Sequence, residues 1–367
     1  MPRSSSMHRL AIVLSIFLIT ACAVPNKVTR VEQVNSIVKY RDKATDSERF
    51  SNLYPGAKSY PVTCEADCYP ASPVVSCKES AEQCNYTGKQ SIPNINTSFD
   101  IRWLGHASFY INSPDGSRLL IDPVSEQFDW PVNWAFRLSE GFNRQAAKWP
   151  SLGEIANTDA VMYSHVHYDH FNKDDIKKIG NKTEYFVPLG FAEHFSEDGY
   201  NVNEMTWFSS KQLGQLNISF VPAHHFSSRI WVPYLYEDSN KTLWGGWVIE
   251  HQGKRLFFAG DTGYSQHFKD IQKRYGDMDI CLMPIASYYH KENGKWYRYV
   301  HTTPEDALTA AEELNCKVMI PWGYGNASWK MGDHSSHSAL LRLLKMHKKM
   351  RSTIPLYILN EGENITL

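Results

Sequence analysis

Residues 163–172 read "YSHVHYDHFN", which sets three histidines and an aspartate within six positions directly after the apolar run "AVMYS". If "DAVMYS" is a buried strand, His165 and His167 stand two apart on its extended continuation, so both imidazoles project to the same side. Asp169 and His170 follow where the chain turns toward a helix predicted over 173–179, with Asn172 as its cap and Asp174 and Asp175 in its first turn. Four metal-capable groups thus converge on one small volume. Neutral imidazole nitrogen and carboxylate oxygen suit zinc and related divalent ions, with bonds of about 2.0–2.2 Å. Packing so many titratable groups together without a cation would cost desolvation and repulsion.

Such a site needs further ligands from elsewhere in the chain. "VPAHHFSSR" puts His224 and His225 at the end of a strand predicted around 218–221, and "LFFAGDTGY" puts Asp261 at the end of another. "WGYGNASWKMGDHSSH" offers His334 and His337 just ahead of the last helix. Each group lies at a strand end or in a loop, where one site can form. "FDIRWLG", "SFYINS", "RLLIDP", "EMTWFS", "QLNISFVPA", "WGGWVIEHQ" and "KRLFFAGD" also read as strands, and helices are predicted at 267–275, at 304–314 behind Thr303 and at 336–350. Strands in two runs, each closing with helices, predict two sheets packed face to face with helices outside.

The 367 residues are 42% hydrophobic with a net charge of −1, enough for a large core and without an electrostatic reason to bind nucleic acid. "MPRSSSMHRL", the short apolar "AIVLSIFLIT" and small residues leading to Cys22 read as a secretory signal over residues 1–21. "ITAC" resembles a bacterial lipobox, with Cys22 as the lipid-bearing residue and plain cleavage near Ala21 or Ala23 as the alternative. Ala23, rather than an aspartate, then points to the outer membrane, facing the periplasm. Residues 22–98 read as an extension: a polar tether with helical character around "VTRVEQVNSIVKYRDKA", then Cys64, Cys68, Cys77 and Cys84 in a loop-rich insert. Two disulfides are expected there, since an oxidising compartment disfavours the rival zinc knuckle. Cys281 and Cys316 sit singly in apolar runs and are expected to be buried apolar residues.

Taken in order, "WLGHASFYI", "LLIDPV", "SHVHYDHFN", "PAHH", "FAGDTGY", "HTTPEDA" and "WGYG" resemble the metallo-β-lactamase superfamily, whose H-x-H-x-D-H signature is met at 165–170. Within it the likeness is to the N-acylphosphatidylethanolamine phospholipase D and ascorbate-phosphate lactonase branch. The resemblance implies an αββα sandwich of two mixed sheets with outer helices over residues 99–367, and two divalent ions, zinc by preference. It implies His165, His167 and His225 on the first ion, with His224 the neighbouring alternative. Asp169, His170 and a late histidine would hold the second; spacing favours His334, with His337 the alternative. Asp261 would bridge the two. The chain departs from the pattern in "PWGYG", where phospholipase-like members often carry histidine before the tryptophan.

His106 in "LGHAS" either lines the site or is hydrogen-bonded in the core, and His301 either assists substrate or leaving group or braces a loop. Asp122 is expected beside the ligands or in a turn. His194, His251, His267, His290 and His347 are expected at the surface.

Two ions about 3.5–4 Å apart acidify a bridging water and polarise a phosphoryl or carbonyl oxygen. Asp169 would orient the resulting hydroxide. The implied activity is a phospholipase D-like phosphodiesterase acting on a lipid-like or small phosphorylated substrate. A lactonase or other carboxyl-ester hydrolase is the first alternative, and an envelope protein holding metal in a closed structural site the second. Aromatic stretches at 128–142 and 287–301 would wall the site, with Arg137, Arg144 or Arg298 meeting phosphate.

Overall fold

Side chains along a strand alternate between two faces, and here both faces are covered. In the strand Arg118–Ile121, Leu119 and Ile121 enter one core and Leu120 the other. The strand Ala160–Met162 divides in the same way, with Ala160 and Met162 opposed to Val161. This computed structural model describes residues 23–43, 45–57, 68–77, 84–126, 147–229, 231–232, 236–289, 294–328 and 335–367.

The larger sheet has eight strands in the order Lys27–Val31, Asn201–Met205, Glu184–Pro188, Ala160–Met162, Arg118–Ile121, Ser108–Asn112, Asp100–Gly105 and Asn364–Thr366. Its first five strands are mutually parallel and the rest antiparallel. The second sheet orders Ser210–Leu213, Leu216–Val221, Gly246–His251, Lys254–Phe258, Ile280–Pro284 and Val318–Trp322, and ends in two parallel pairings. Between the sheets lies one apolar layer, in which Phe109 meets Phe258 with ring centroids 6.0 Å apart. The helix Lys173–Ile179 buries Ile176 and Ile179 against the outer face of the large sheet. The helices His267–Tyr275 and Pro304–Glu313 lie on the outside of the second sheet, Phe268 packing on Phe257 and Thr303 capping the latter helix. The result is a mixed-sheet αββα sandwich.

The N-terminal stretch is not helical. Lys27–Val31 is an edge strand parallel to Asn201–Met205, and Val38–Asp42 pairs with Ser47–Ser51 as a hairpin. The apolar spacing that suggested a helix leaves Val28, Val34 and Val38 exposed, while β-branched Val28, Thr29 and Val31 suit the strand. Two other local expectations also change. "EMTWFS" holds only the end of the strand Asn201–Met205, because Phe208 takes a left-handed φ of 63° and turns the chain. The aromatic stretch 287–301 contains the helix Gly294–Val300 rather than loop alone.

Cys281 and Cys316 are buried as expected, but they are joined to each other. Their strands are adjacent and parallel, which brings Cα atoms 35 residues apart in sequence to 6.0 Å. Cys77 and Cys84 are bridged across a short hairpin, and Cys68 is also disulfide-bonded. Cys22 and Cys64 lie outside the described residues. No helix among the described residues is long and apolar enough to cross a membrane.

Candidate metal centre

The strand Ala160–Met162 delivers the chain to Ser164 and His165, and the stretch that follows is fixed at several points. Gly245 donates its N–H to the Ser164 carbonyl, and Asp122 accepts from the Ser164 N–H at 2.7 Å. The turn closes when the His170 and Phe171 N–H groups reach the His167 carbonyl, after which Asn172 caps the helix. Arg229 then clamps the loop from outside. Its guanidinium donates to the Val166 and Phe171 carbonyls at 2.7 and 2.8 Å and lies over the Tyr168 and Phe171 rings.

Three imidazoles converge: His165 Nε2 and His225 Nε2 stand 2.8 and 3.1 Å from His167 Nδ1. Their tautomers follow from what holds the far side of each ring. His225 Nδ1 lies 2.9 Å from the Val300 carbonyl, which only accepts, so that nitrogen carries the proton. The Ser164 hydroxyl donates to Asp122, so it accepts from His165 Nδ1 at 2.9 Å. Both Nε2 lone pairs therefore aim at His167 Nδ1, whose single proton can satisfy only one of them. Protonating the rings is no remedy: burial and mutual repulsion push His165 and His225 well below the usual histidine range, and burial takes His167 down to about 4. A cation among the three nitrogens satisfies all of them, so this donor set fits a divalent metal.

The other half of the cluster is built on carboxylates. His106 Nε2 lies 3.0 Å from Asp169 Oδ2, and His170 Nδ1 lies 2.8 Å from Asp122 Oδ2. Burial opposes charge on Asp169 and Asp261, but His170 and other nearby imidazoles outweigh it and hold both well below the ordinary carboxyl range. Burial likewise opposes charge on His170, yet Asp261, Asp169 and Asp122 raise it well above the usual value. Asp261 faces both halves: its Oδ2 is 3.2 Å from His170 Nε2, 3.3 Å from His301 Nε2 and 4.0 Å from His225 Nε2. Among the described residues four overlapping groups could each hold an ion: His165, His167, His225; His106, Asp169, His170; His165, His170, Asp261; and His225, Asp261, His301.

Of the two neighbouring histidines, His225 enters the cluster, whereas His224 Nδ1 turns to the Tyr299 carbonyl at 2.8 Å. His334 lies outside the described residues. His337 is buried at the start of the last helix with its ring on Tyr324, and it belongs to none of the four groups. Arg298, expected to meet phosphate, is engaged by both oxygens of Asp306 at 2.8 and 3.0 Å. Arg137 and Arg144, with Trp130 and Trp134, lie outside the described residues. His267, expected at the surface, is 2% exposed, because Ser265 and Thr262 bond its ring inside the fold. Ser164 and Arg229 were missed by sequence reasoning, since a single hydroxyl or guanidinium carries no spacing signal.

The model of the β-lactamase superfamily domain matches residues 117–324. N-acyl-phosphatidylethanolamine-hydrolyzing phospholipase D 1 of Caenorhabditis elegans is 29% identical over 238 residues, 60% of this chain and 63% of that protein. A metal-dependent hydrolase of Methanopyrus kandleri is 29% identical over 232 residues, 61% and 84% of the two chains. Among solved structures, Igni18, a metallo hydrolase of Ignicoccus hospitalis, is similar in fold, with a TM-score of 0.50 at 20% identity over 73% of this chain and 98% of that one. The matched region spans 63% of the length of both the mycobacterial and the worm relatives.

Proposed function

This chain belongs to the metallo-β-lactamase superfamily, and from that premise we propose that it is a metal-dependent hydrolase, a two-ion phosphodiesterase of the phospholipase D type. The observation that carries the reading is the position of Asp261, whose one carboxylate stands between the imidazole half and the carboxylate half of the cluster. His165, His167 and His225 would hold one ion, Asp169 and His170 the other, with Asp261 shared and zinc the expected metal. His334 is retained as a candidate for the second ion, beside His106, which the fold brings to Asp169.

When bound, the pair of ions supplies an acidified water and a Lewis acid for the phosphoryl oxygen. The protein groups do the rest. Asp122 takes the Nδ1 proton side of His170 and so turns its Nε2 toward Asp261. His106 lies 3.0 Å from Asp169 and would orient it to accept a hydrogen bond from the attacking water. His301, 13% exposed at its side chain and 3.3 Å from Asp261, would pass a proton to the leaving oxygen. Arg298 is committed to Asp306, so the phosphate charge would be met by the ions, with Arg137 and Arg144 retained as candidates.

The worm relative's named activity supports a phosphodiester linkage in a lipid-like substrate. Export to the cell envelope is supported by the disulfides, in which every cysteine among the described residues is bonded; a lipid on Cys22 is the proposed anchor. The test is a panel of phosphodiesters of graded tail length and of small lactones, run on protein whose metal content has been measured. Phosphodiesters are expected to turn over faster, and long-tailed ones fastest. Faster turnover of a lactone would replace this reading with the lactonase one.

A further inference from the structure

We propose that Asn52, 65 residues ahead of the start of the matched family domain, is a positioning residue of the metal centre: it fixes the backbone of His225. The inference rests on the metal-centre reading given above. Asn52 Nδ2 donates to the His225 carbonyl at 2.9 Å, while its Oδ1 accepts from the His225 N–H at 3.0 Å and from the Trp244 indole N–H at 3.1 Å. Both donors need an oxygen and the carbonyl needs an N–H, so the three bonds agree on one orientation of the amide. His225 lies beyond the last residue of its strand, Val221, and has no sheet neighbour to hold its peptide groups. Asn52 supplies both partners from another part of the chain.

The rest of the segment is built to deliver that side chain. Phe50 donates its N–H to the Asn240 carbonyl at 2.8 Å on one side of Asn52, and Ala57 reaches the Tyr264 carbonyl at 3.4 Å on the other. Between them Gly56 crosses the His224 ring so closely that a Cβ there would stand 2.5 Å from Cε1. Residues 50–57 therefore form a strap over the end of the strand that carries the histidine pair. His225 is held at two points, the backbone by Asn52 and ring Nδ1 by the Val300 carbonyl, which leaves Nε2 one direction to aim. A ligand held this way keeps the half-ångström tolerance that metal binding demands.

The test uses the full-length chain loaded with Zn²⁺, and with Co²⁺ as a spectroscopic probe. Asn52→Leu removes all three bonds at similar size, and Asn52→Asp keeps the acceptor oxygen while losing the donor. Asn52→Leu is expected to weaken the ion at the imidazole half about 10–100-fold and to shift its Co²⁺ absorption. Asn52→Asp should fall between it and the wild type, and the ion at the Asp169–His170 half should titrate as in the wild type. His165→Ala runs beside them. If His165→Ala keeps the wild-type metal content, the metal-centre reading itself fails. If His165→Ala loses an ion while both Asn52 variants bind like the wild type, the Asn52 inference alone is overturned. A lower unfolding temperature with unchanged metal affinity would also overturn it, and should Asn52→Leu not fold, the affinity of Asn52→Asp decides.

Discussion

The two halves of the candidate metal centre solve one problem by opposite means. Around His167 the protein sets three neutral rings, two of them with Nε2 lone pairs aimed at the third, and Asp261 Oδ2 stands 4.0 Å from His225 Nε2. Around His170 it sets carboxylates on both sides of one imidazole and lets the charges balance. The first half is poised by tautomers, those of His165 and His225 locked by a neighbour on the far side of the ring. The second is poised by charge. A tautomer-locked set is ready for a cation over a wide pH range, whereas a charge-balanced set must release the proton of His170 before that ring can act as a ligand.

The strongest way to break this comparison is to remove the group common to both halves. Asp261→Ala should lower turnover more than about 100-fold and cost the protein more than one ion per chain, as counted by elemental analysis. Full metal content in that variant would dissolve the idea of a shared carboxylate. Next in size, His225→Ala and Asp169→Ala should each remove a single ion, and Co²⁺ spectra of the two should be complementary rather than alike. Identical spectra would mean one site and not two halves.

A smaller effect is expected from Asp122→Asn, which touches no ion directly. Asp122 serves both halves, taking the Ser164 hydroxyl that sets His165 and the Nδ1 side of His170. Metal affinity should drop about 10–100-fold, with both ions weakened, in an equilibrium competition against a chelator. The smallest effect concerns stability of the chelated protein against pH. The imidazoles of the first half are held below their unfolded value near 6.5, His167 at about 4, so the unfolded chain binds more protons between those values and stability falls as pH drops from 6.5 toward 4. His170 is raised, so its contribution is full below 6.5 and is lost as pH climbs through its higher folded value. His167→Gln should flatten the acid side and His170→Gln the alkaline side in thermal unfolding scans. The same flattening from both variants would erase the distinction.

Much of this was legible in the chain because it is local. The helices at 173–179 and 267–275 follow from a cap or an apolar stripe within one turn, and the structure forms them over those residues. The ordered motifs carried the superfamily and the sandwich. What escaped depends on contacts that no period encodes. The pairing of Lys27–Val31 with Asn201–Met205 joins residues more than 170 positions apart, and the Cys281–Cys316 bond exists only because two strands happen to be neighbours in the sheet. The Arg229 clamp and the closeness of His301 to Asp261 belong to the same kind. Sequence spacing places a histidine at a strand end, but it does not say which of its ring nitrogens will be held from behind.

The edge strand has a geometric consequence for how the enzyme would sit in the envelope. Val24 already pairs with Asp198, so no more than about 7 Å of chain separates it from residue 22. Were Cys22 to carry a lipid, so short a connection would keep the body close to it. Lys27–Val31 runs parallel to Ala160–Met162, and the ligands from His165 onward follow the far end of that strand. An anchor at the amino ends of the parallel strands would thus point the candidate metal centre away from the leaflet holding it, while exposed Val24 and Val28 would stay on the anchored side. With a lipid on Cys22, that polarity would have the site meet its tailed substrates from the aqueous side and not from the leaflet at the protein's own foot.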